Sequence, residues 1–322
     1  MIIDFEHHYY PEELVRKHGG RPGEAVVWYE KGIPRITLHD TLYRIDDHLR
    51  AMDEAGIDVA VLTSWDHPLD ECKIINNSLA RLMKEYPDRI VGLAHVSPLD
   101  GETAFAELDR AIKELGLRGV VITAQVQGRP LDSKELWGFY EKVNELGVPI
   151  HVHPSTAVLG FEALAAPYDL YRTIGREFDL AAATTRLMVG GVLEDFPGLK
   201  FVISHLGGGI SAILERIRWL ESGPYRAGTR LTKPLREYFD KIYFNLAGFT
   251  GGMNAVRCAL TTMSPHRMVF ATDYPQNFKG DVEGMRRYVE SIKALDLDEG
   301  SKERILGKNA AELLGLWRLA ER

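Results

Sequence analysis

Eight short, almost wholly apolar runs recur along the chain, and amphipathic segments of helical length separate many of them. Runs of this length that are rich in Val and Ile are typical of strands buried on both faces of a parallel sheet. The predicted strands are Met1–Glu6, Ile57–Ser64, Ile90–Val96, Gly119–Thr123, Val148–His153, Lys200–Ser204, Lys241–Leu246 and Met268–Ala271.

Helical periodicity predicts helices between several of these strands. They cover Asp40–Ala55, Asn76–Tyr86, Glu102–Leu115 and Ser133–Leu146. The phrases EAGIDVAVL, ELGLRGVVI and ELGVPIHVH each join a helix end to a buried strand through glycine, which is the usual residue after a helix C-terminus. Repeated strand–helix units favour a (β/α)₈ barrel, and a doubly wound open sheet is the alternative.

Two stretches interrupt the alternation, one after the first predicted strand and one after the fifth. Tyr9–His39 is rich in Gly, Pro, Trp and Tyr, and Pro154–Glu177 is rich in Ala. Both follow the carboxyl ends of strands, where barrel enzymes build their active sites. We therefore expect a lid or hairpin and a second cover over the site. No low-complexity linker divides the chain, so one domain over residues 1–322 is expected.

Composition narrows the choice of partners. Of the 322 residues 45% are hydrophobic, and the net charge of -7 is spread without a basic stripe. Nucleic acid and anionic membranes are therefore not expected as partners. The N-terminus lacks the pattern of a signal peptide, and no apolar stretch approaches the roughly 20 residues of a membrane span. Cys72 and Cys258 have no CxxC neighbour, so a cytoplasmic protein without disulfides is expected.

Polar residues that can bind a metal ion end four of the predicted strands. The first ends in DFEHH, and a period of two puts Glu6 and His8 on one face and His7 on the other. The fifth ends in PIHVHP, the sixth in FVISHLGGG and the eighth in MVFATDYP. An ExH pair with a further His and an Asp would hold one divalent ion and leave a coordination position open, as catalytic sites do.

Each of these residues also has an ordinary structural interpretation. A single His near a strand end is usually a buried or surface residue with its hydrogen bonds satisfied, and Asp before Tyr-Pro often forms a turn. Glu6 is harder to dismiss, because an unpaired carboxylate inside an apolar strand is costly. The coincidence of four strand ends favours a metal site.

The sequence resembles the amidohydrolase superfamily over nearly its whole length. The resemblance includes YPDRIVGLAHVSP, VPIHVHP, FVISHLGG, MVFATDYP and ILGKNAAELLGL. It is closest to the branch of aminocarboxymuconate-semialdehyde decarboxylase and γ-resorcylate decarboxylase. The superfamily usually opens with HxH, and the resorcylate-type enzymes share the replacement of the first His by Glu, here Glu6. The fourth strand offers no Lys to bridge two metals, so one ion, Zn²⁺ or Mn²⁺, is expected.

The resemblance implies a role for several residues. Glu6, His8, His153 and Asp273 would bind the metal, and His205 would lie beside it as a catalytic group. Arg216 falls where the resorcylate-type enzymes carry an Arg, although an exposed helix cation is an equal alternative. His151 is expected to point inward beneath His153 and to act on the ligands. A dimer or tetramer is also implied.

The leading hypothesis is metal-dependent, non-oxidative decarboxylation of a hydroxylated aromatic or related unsaturated acid. The metal would bind the substrate carboxylate, and Asp273 or His205 would protonate the carbon that carries it. Candidate substrate contacts are Arg216 and residues of the predicted covers and strand ends, listed as Tyr10, Trp28, Tyr29, Trp65, Asp66, His67 and Phe161. The alternatives are a mononuclear hydrolase such as a lactonase, a hydratase of the same branch, and a barrel that binds a ligand without catalysis.

Overall fold

The computed structural model describes residues 1–30, 32–158 and 168–316. A strand lies at each of the eight predicted positions. These strands are β1 (Ile3–His8), β4 (Val59–Thr63), β5 (Ile90–Gly92) with β6 (Ala94–His95), β7 (Val120–Thr123), β10 (Ile150–His153), β11 (Phe201–Ile203), β12 (Tyr243–Asn245) and β13 (Met268–Val269). The predicted strand Ile90–Val96 is divided at Leu93 into β5 and β6.

The eight strand positions follow one another in chain order and pair in parallel. One sheet has the order β1–β4–β5, and the other has the order β6–β7–β10–β11–β12–β13. These sheets do not form one continuous closed ladder. Their outer edges meet through single hydrogen bonds, in which Phe5 N–H donates to Phe270 O (2.9 Å) and Asp273 N–H donates to Glu6 O (2.9 Å). The arrangement is that of a (β/α)₈ barrel with a weakly joined seam between the first and last strands.

Helices surround the strands. The α-helices are α1 (Glu12–Lys17), α2 (Ile45–Ala55), α3 (Leu69–Glu85), α4 (Gly101–Lys113), α5 (Trp137–Leu146), α6 (Arg176–Val189), α7 (Val192–Asp195), α8 (Leu214–Ile217), α9 (Leu235–Phe239), α10 (Met253–Ala259), α11 (Val282–Lys293), α12 (Glu299–Glu303) and α13 (Asn309–Leu314). Short 3₁₀ helices cover Asp40–Leu42, Lys134–Leu136, Ile210–Ile213, Arg218–Glu221, Gly223–Gly228 and Pro265–Arg267, and π-helical turns cover Tyr171–Gly175 and Arg304–Lys308. No helix among the described residues is long and apolar enough to cross a bilayer.

The four predicted helices are present with shifted boundaries. The predicted Asp40–Ala55 begins as a 3₁₀ turn before α2, and Ser133–Leu146 does the same before α5. Helix α3 begins at Leu69, seven residues before its predicted start. Gly56 and Gly147 follow α2 and α5 with φ of 75° and 67°, the left-handed conformation that ends a helix without a Cβ penalty.

The insertion after β1 contains helix α1 and an antiparallel hairpin of β2 (Val26–Glu30) and β3 (Ile33–Leu38). A further small antiparallel pair, β8 (Gln125–Val126) and β9 (Arg129–Pro130), follows β7. The insertion after β10 is described over residues 154–158 and from residue 168 onward, so the predicted contact Phe161 lies outside the described residues.

Two apolar clusters hold the barrel together. One lies between strands and helices, and the other contains residues from β1, β4, β5 and β13 together with residues of α13. Ile3, Phe5 and Val61 are fully buried in the second cluster. At about 25 cal/mol per Å² of apolar surface, such burial supplies the main stabilising free energy. It also fixes the strand ends that carry the polar residues.

Candidate metal centre

Three predicted ligands lie together at the carboxyl ends of β1 and β10. Ligand atoms of Glu6, His8 and His153 all lie within 4.8 Å of one another, and the three side chains are buried. Glu6 Oε1 has the Nε2 atoms of His8 and His153 at 3.8 Å and that of His205 at 3.7 Å. This carboxylate oxygen therefore faces three imidazoles at distances too long for hydrogen bonds.

The other oxygen of Glu6 is held firmly. Glu6 Oε2 accepts hydrogen bonds from Ser204 Oγ (2.5 Å), Asn245 Nδ2 (2.6 Å) and His151 Nε2 (3.0 Å). Burial raises the pKa of Glu6, but the hydrogen bond from His151 and the charges of His151 and His153 lower it, so the pKa lies well below its usual value. Glu6 is therefore ionised, with one oxygen oriented by the protein.

Buried atoms without hydrogen-bond partners test whether these residues suit a metal ion. Glu6 Oε1 and His8 Nδ1 are two such atoms among the described side chains. A buried carboxylate oxygen without a donor costs free energy unless something else binds it. Burial also holds the pKa of His153 well below the ordinary value, which keeps its imidazole neutral, as a ligand must be. Carboxylate and neutral imidazole are ligands that Zn²⁺ and Mn²⁺ accept, so the residues fit a divalent ion.

Asp273 lies beside this cluster, at the end of the last strand. Its Oδ1 is 2.8 Å from His8 Nε2, and its backbone has φ of 63°, a conformation that residues other than glycine rarely adopt. Burial raises the pKa of Asp273, which favours its protonated form. The structure thus brings Asp273 to the site, next to the three-residue ligand group and outside it.

His205 follows β11 and begins an unusual turn. Residues from His205 to Gly209 all have positive φ, between 52° and 72°, which is a turn of left-handed helix. The three glycines in this turn adopt positive φ without a steric penalty, because they have no Cβ. A Cβ at Gly208 would overlap the backbone carbonyl of Glu177. His205 Nδ1 is 2.7 Å from Glu177 Oε1. Burial alone would lower the pKa of His205, but the Glu177 carboxylate raises it well above its usual value.

His7 points away from the site, as the alternation predicted, into a buried polar chain behind β1. His7 Nδ1 donates to Asp4 Oδ2 (2.8 Å), and His7 Nε2 lies 3.0 Å from His48 Nδ1 on α2. Asp4 also accepts hydrogen bonds from the backbone N–H (2.8 Å) and the hydroxyl (2.5 Å) of Thr272. This chain fixes β1 against the segment that carries Asp273.

A cavity of about 60 Å³ opens above the ligand group. Its walls include His8, His153, His205 and Asp273, and also three arginines from the two insertions and from α6, listed as Arg35, Arg172 and Arg176. None of these three arginines is among the residues that the sequence predicted for the site. Arg172 and Arg176 are one helical turn apart, a spacing that is equally common on exposed helix faces, so the sequence carries no specific signal for them.

The predicted substrate contacts fall into three environments. His67 lines a neighbouring cavity of about 400 Å³, whose walls also include Trp28, Asp66 and Arg35. Tyr10 and Trp65 are fully buried, and the Tyr10 hydroxyl donates to Glu71 Oε2 (3.2 Å), which also pairs with His67 Nδ1 (3.2 Å).

Arg216 and Tyr29 are exposed and line neither of these two cavities. The Arg216 guanidinium stacks at 3.5 Å over the ring of Trp219. Within one chain, the structure therefore separates Arg216 from the metal centre.

A carboxylate and two imidazoles at the carboxyl ends of barrel strands are features of a metal-dependent (β/α)₈ enzyme. A sequence model of the amidohydrolase family matches residues 3–316, and the chain belongs to this family. The predicted membership and the predicted α/β barrel fold are confirmed.

Relatives with named activities include decarboxylases. The chain is 30% identical over 286 residues to 2-amino-3-carboxymuconate-6-semialdehyde decarboxylase of Dictyostelium discoideum, covering 84% of this chain and 76% of the relative. It is 27% identical to γ-resorcylate decarboxylase of Rhodococcus jostii, covering 97% and 98%. A dihydroxybenzoic acid decarboxylase from Polaromonas sp. JS666, solved with bound manganese and the inhibitor 2-nitroresorcinol, matches the fold with a TM-score of 0.81, 24% identity and coverage of 98% and 97%.

Proposed function

We propose that the protein is a metal-dependent carboxy-lyase that releases carbon dioxide from a hydroxylated aromatic or related unsaturated carboxylic acid. The observation that carries the proposal is the group of Glu6, His8 and His153 beneath a cavity, with Glu6 Oε1 lacking a hydrogen-bond donor. The named activities of the two decarboxylase relatives support it.

Glu6, His8 and His153 would hold one divalent ion, Mn²⁺ or Zn²⁺, with Asp273 as the fourth ligand. When bound, the ion would act as a Lewis acid on the substrate carboxylate and a neighbouring oxygen. His151, Ser204 and Asn245 act on the site through Glu6, because their hydrogen bonds to Oε2 leave Oε1 directed at the imidazoles.

Asp273 or His205 supplies the proton. Both line the cavity, and the Glu177 carboxylate raises the pKa of His205, which favours the imidazolium. Asp273 would be the donor when it carries a proton instead of binding the ion as a carboxylate. The proton adds to the carbon that carries the carboxylate. The bond between that carbon and the carboxylate then breaks, and its electron pair restores the conjugated system as carbon dioxide leaves.

We propose different roles for the candidate substrate contacts. His67 would contact the substrate, because it lines the larger cavity. Tyr10 and Trp65 would support that wall from behind, since both are buried. Arg216 would contact a substrate only in the site of a second copy, because it is exposed and lines neither cavity of its own chain.

We further propose a homo-oligomer that works in the cytoplasm. The exposed apolar side chains Phe178, Ile213 and Tyr225 line one shallow surface groove and would be covered by a second copy. Both cysteines are free, which suits a reducing compartment. Light scattering coupled to size-exclusion chromatography measures the oligomeric state, and a monomer at all concentrations would contradict the proposed homo-oligomer.

The decisive assay measures carbon dioxide release from a panel of hydroxybenzoates and hydroxylated benzene dicarboxylates. Protein stripped of metal is compared with protein reloaded with Mn²⁺ or Zn²⁺. We expect metal-dependent release that Asp273→Asn and His205→Asn each reduce by about a hundredfold or more, whereas the exposed control His266→Asn retains it.

Each other outcome identifies a different function. Product acids formed from lactones without carbon dioxide would indicate the hydrolase. Water addition to an unsaturated acid would indicate the hydratase. Bound metal without turnover of any of these classes would indicate a binding protein and overturn the proposal.

A further inference from the structure

One of the three arginines at the metal centre differs from the other two in its pairing. Arg172 Nε donates to both carboxylate oxygens of Asp169, at 2.8 and 3.1 Å. Arg35 Nη2 donates to Asp66 Oδ2 at 3.1 Å. Among the described residues, Arg176 Nη2 donates only to the backbone carbonyl of Arg35, at 2.5 Å.

Arg176 therefore carries a charge without a close counter-ion. Within residues 1–30, 32–158 and 168–316, no carboxylate oxygen lies within 4.0 Å of its guanidinium nitrogens. Its Nε is buried and has no hydrogen-bond partner in these same ranges. Asp273 and Asp169 attract the guanidinium only at longer range.

The surroundings of Arg176 are unfavourable to a cation. Burial, together with the positive charges of Arg172 and Arg35, lowers the pKa of Arg176 to about 10. The side chain stays protonated at neutral pH, so the protein without a ligand holds a partly buried positive charge that no close carboxylate among the described residues neutralises. Such costs concentrate at functional sites, where a ligand provides the missing partner.

The position of Arg176 indicates which ligand. It lines the same 60 Å³ cavity as His8, His153 and Asp273. Arg35, whose backbone carbonyl holds Arg176, lines both this cavity and the 400 Å³ cavity beside it. An anionic group on Arg176 would therefore belong to the same molecule that reaches the metal centre.

We propose that Arg176 binds a second acidic group of the substrate, so that the enzyme acts on acids with two anionic groups. This inference rests on the proposed function, which places the first acidic group, the one that leaves as carbon dioxide, at the metal centre. A guanidinium binds a carboxylate through two parallel N–H donors, so the preferred second group is a carboxylate.

Binding without turnover tests this inference separately from the reaction. Calorimetry on the Mn²⁺-loaded protein compares benzene-1,3-dicarboxylate with benzoate. We expect wild type to bind the dicarboxylate about tenfold more tightly or better, the size of one charge-assisted pair. Arg176→Met should abolish this preference and change benzoate binding less than about twofold. The control Arg186→Met, on the exposed part of the same helix α6 and paired with Asp132 at 2.8 Å, should keep the preference.

Several results would overturn the inference. The first is equal affinity of wild type for both acids. The second is that Arg176→Met weakens the binding of both acids equally. The third is a thermal midpoint of Arg176→Met that lies several degrees below that of wild type without ligand. Equal weakening would mean that Arg176 holds the metal-bound carboxylate itself. If Arg176→Met does not fold, Arg176→Lys must lose at least about half of the preference, because an ammonium lacks the paired donors. An Arg176-dependent preference in a protein that releases no carbon dioxide would uphold the site and reject the proposed function.

Discussion

Replacing Glu6 by Gln should remove the metal while leaving the fold intact. Three donors point at Glu6 Oε2, from Ser204, Asn245 and His151. The amide oxygen of Gln must occupy that position, because an NH₂ group there would face donors. The amide NH₂ then replaces Oε1 and directs hydrogens at the imidazole nitrogens of His8 and His153, which lie 3.8 Å away. An amide in this orientation has no lone pair to offer a metal ion.

The magnitude follows from what is lost. Partners that only orient a ligand contribute about ten- to a hundredfold in metal affinity, so loss of the ligand itself should cost at least about a hundredfold, or about 2.7 kcal/mol. At a Mn²⁺ concentration of about 100 times the wild-type dissociation constant, bound metal stabilises wild type by about 2.7 kcal/mol. With about 2.1 cal/mol/K of unfolding entropy per residue over 322 residues, bound Mn²⁺ should raise the thermal midpoint of wild type by about 4 °C. The same Mn²⁺ concentration should raise the thermal midpoint of Glu6→Gln by less than about 1 °C.

Metal analysis after gel filtration and thermal melts with and without Mn²⁺ measure both quantities. The matched control is Glu107→Gln, which changes another buried carboxylate. Glu107 lies outside the metal centre and pairs with Arg110 at 2.8 Å. The control should keep its metal and its shift. Stoichiometric metal and a shift of about 4 °C in Glu6→Gln would refute the orientation argument.

Three further predictions concern the surroundings of the site. Glu177→Gln should lower turnover about tenfold or more at unchanged metal content, because His205 Nδ1 is the only side-chain partner of the Glu177 carboxylate among the described residues; unchanged turnover would show that the ion pair is incidental. Gly208→Ala should lower the free energy of unfolding in urea by at least about 2 kcal/mol, since φ is 65° there and the new Cβ overlaps the Glu177 carbonyl; a stable variant would contradict this. Burial, reinforced by Lys279, lowers the pKa of His39 to about 4. Between pH 6.5 and 4 the unfolded chain therefore binds a proton that the folded protein excludes, and stability falls as the pH falls. From pH 7 to 4, the free energy of unfolding of wild type, measured in urea, should fall by about 3 kcal/mol more than that of His39→Gln. An equal fall in both proteins would show that His39 does not cause the pH dependence.

Hydrophobic patterning predicted the strands well because a parallel barrel buries both faces of each strand. The glycine joins were equally informative, since Gly56 and Gly147 adopt the left-handed backbone that ends their helices. The division at Leu93 left no trace in an apolar run that continues through Ile90–Val96. The early start of α3 was missed because its first two turns, after Pro68, mix charged and apolar residues without a clear period.

The candidate site was predictable where it depends on strand ends and unpredictable where it depends on helices. Alternation along β1 and β10 directs Glu6, His8 and His153 to one point, and the structure brings these three together. Arg176 and Glu177 lie at the start of α6, and the direction of each depends on how the preceding insertion packs. No pattern in the sequence distinguishes them from the exposed ion pairs that occur on other helices.

The two proposed proton donors share a backbone feature that explains why strand patterning alone could not position them. Asp273 and His205 both have positive φ, 63° and 52°, at a cost of about 1–3 kcal/mol each. Each is held by a carboxylate from elsewhere in the chain, since Asp4 binds Thr272 before Asp273, and Glu177 binds the His205 imidazole. A strained conformation that separate contacts maintain is typical of a side chain whose direction matters for chemistry. The same contacts fix the two side chains over the cavity before any substrate arrives, so the proton transfer requires little rearrangement of the protein.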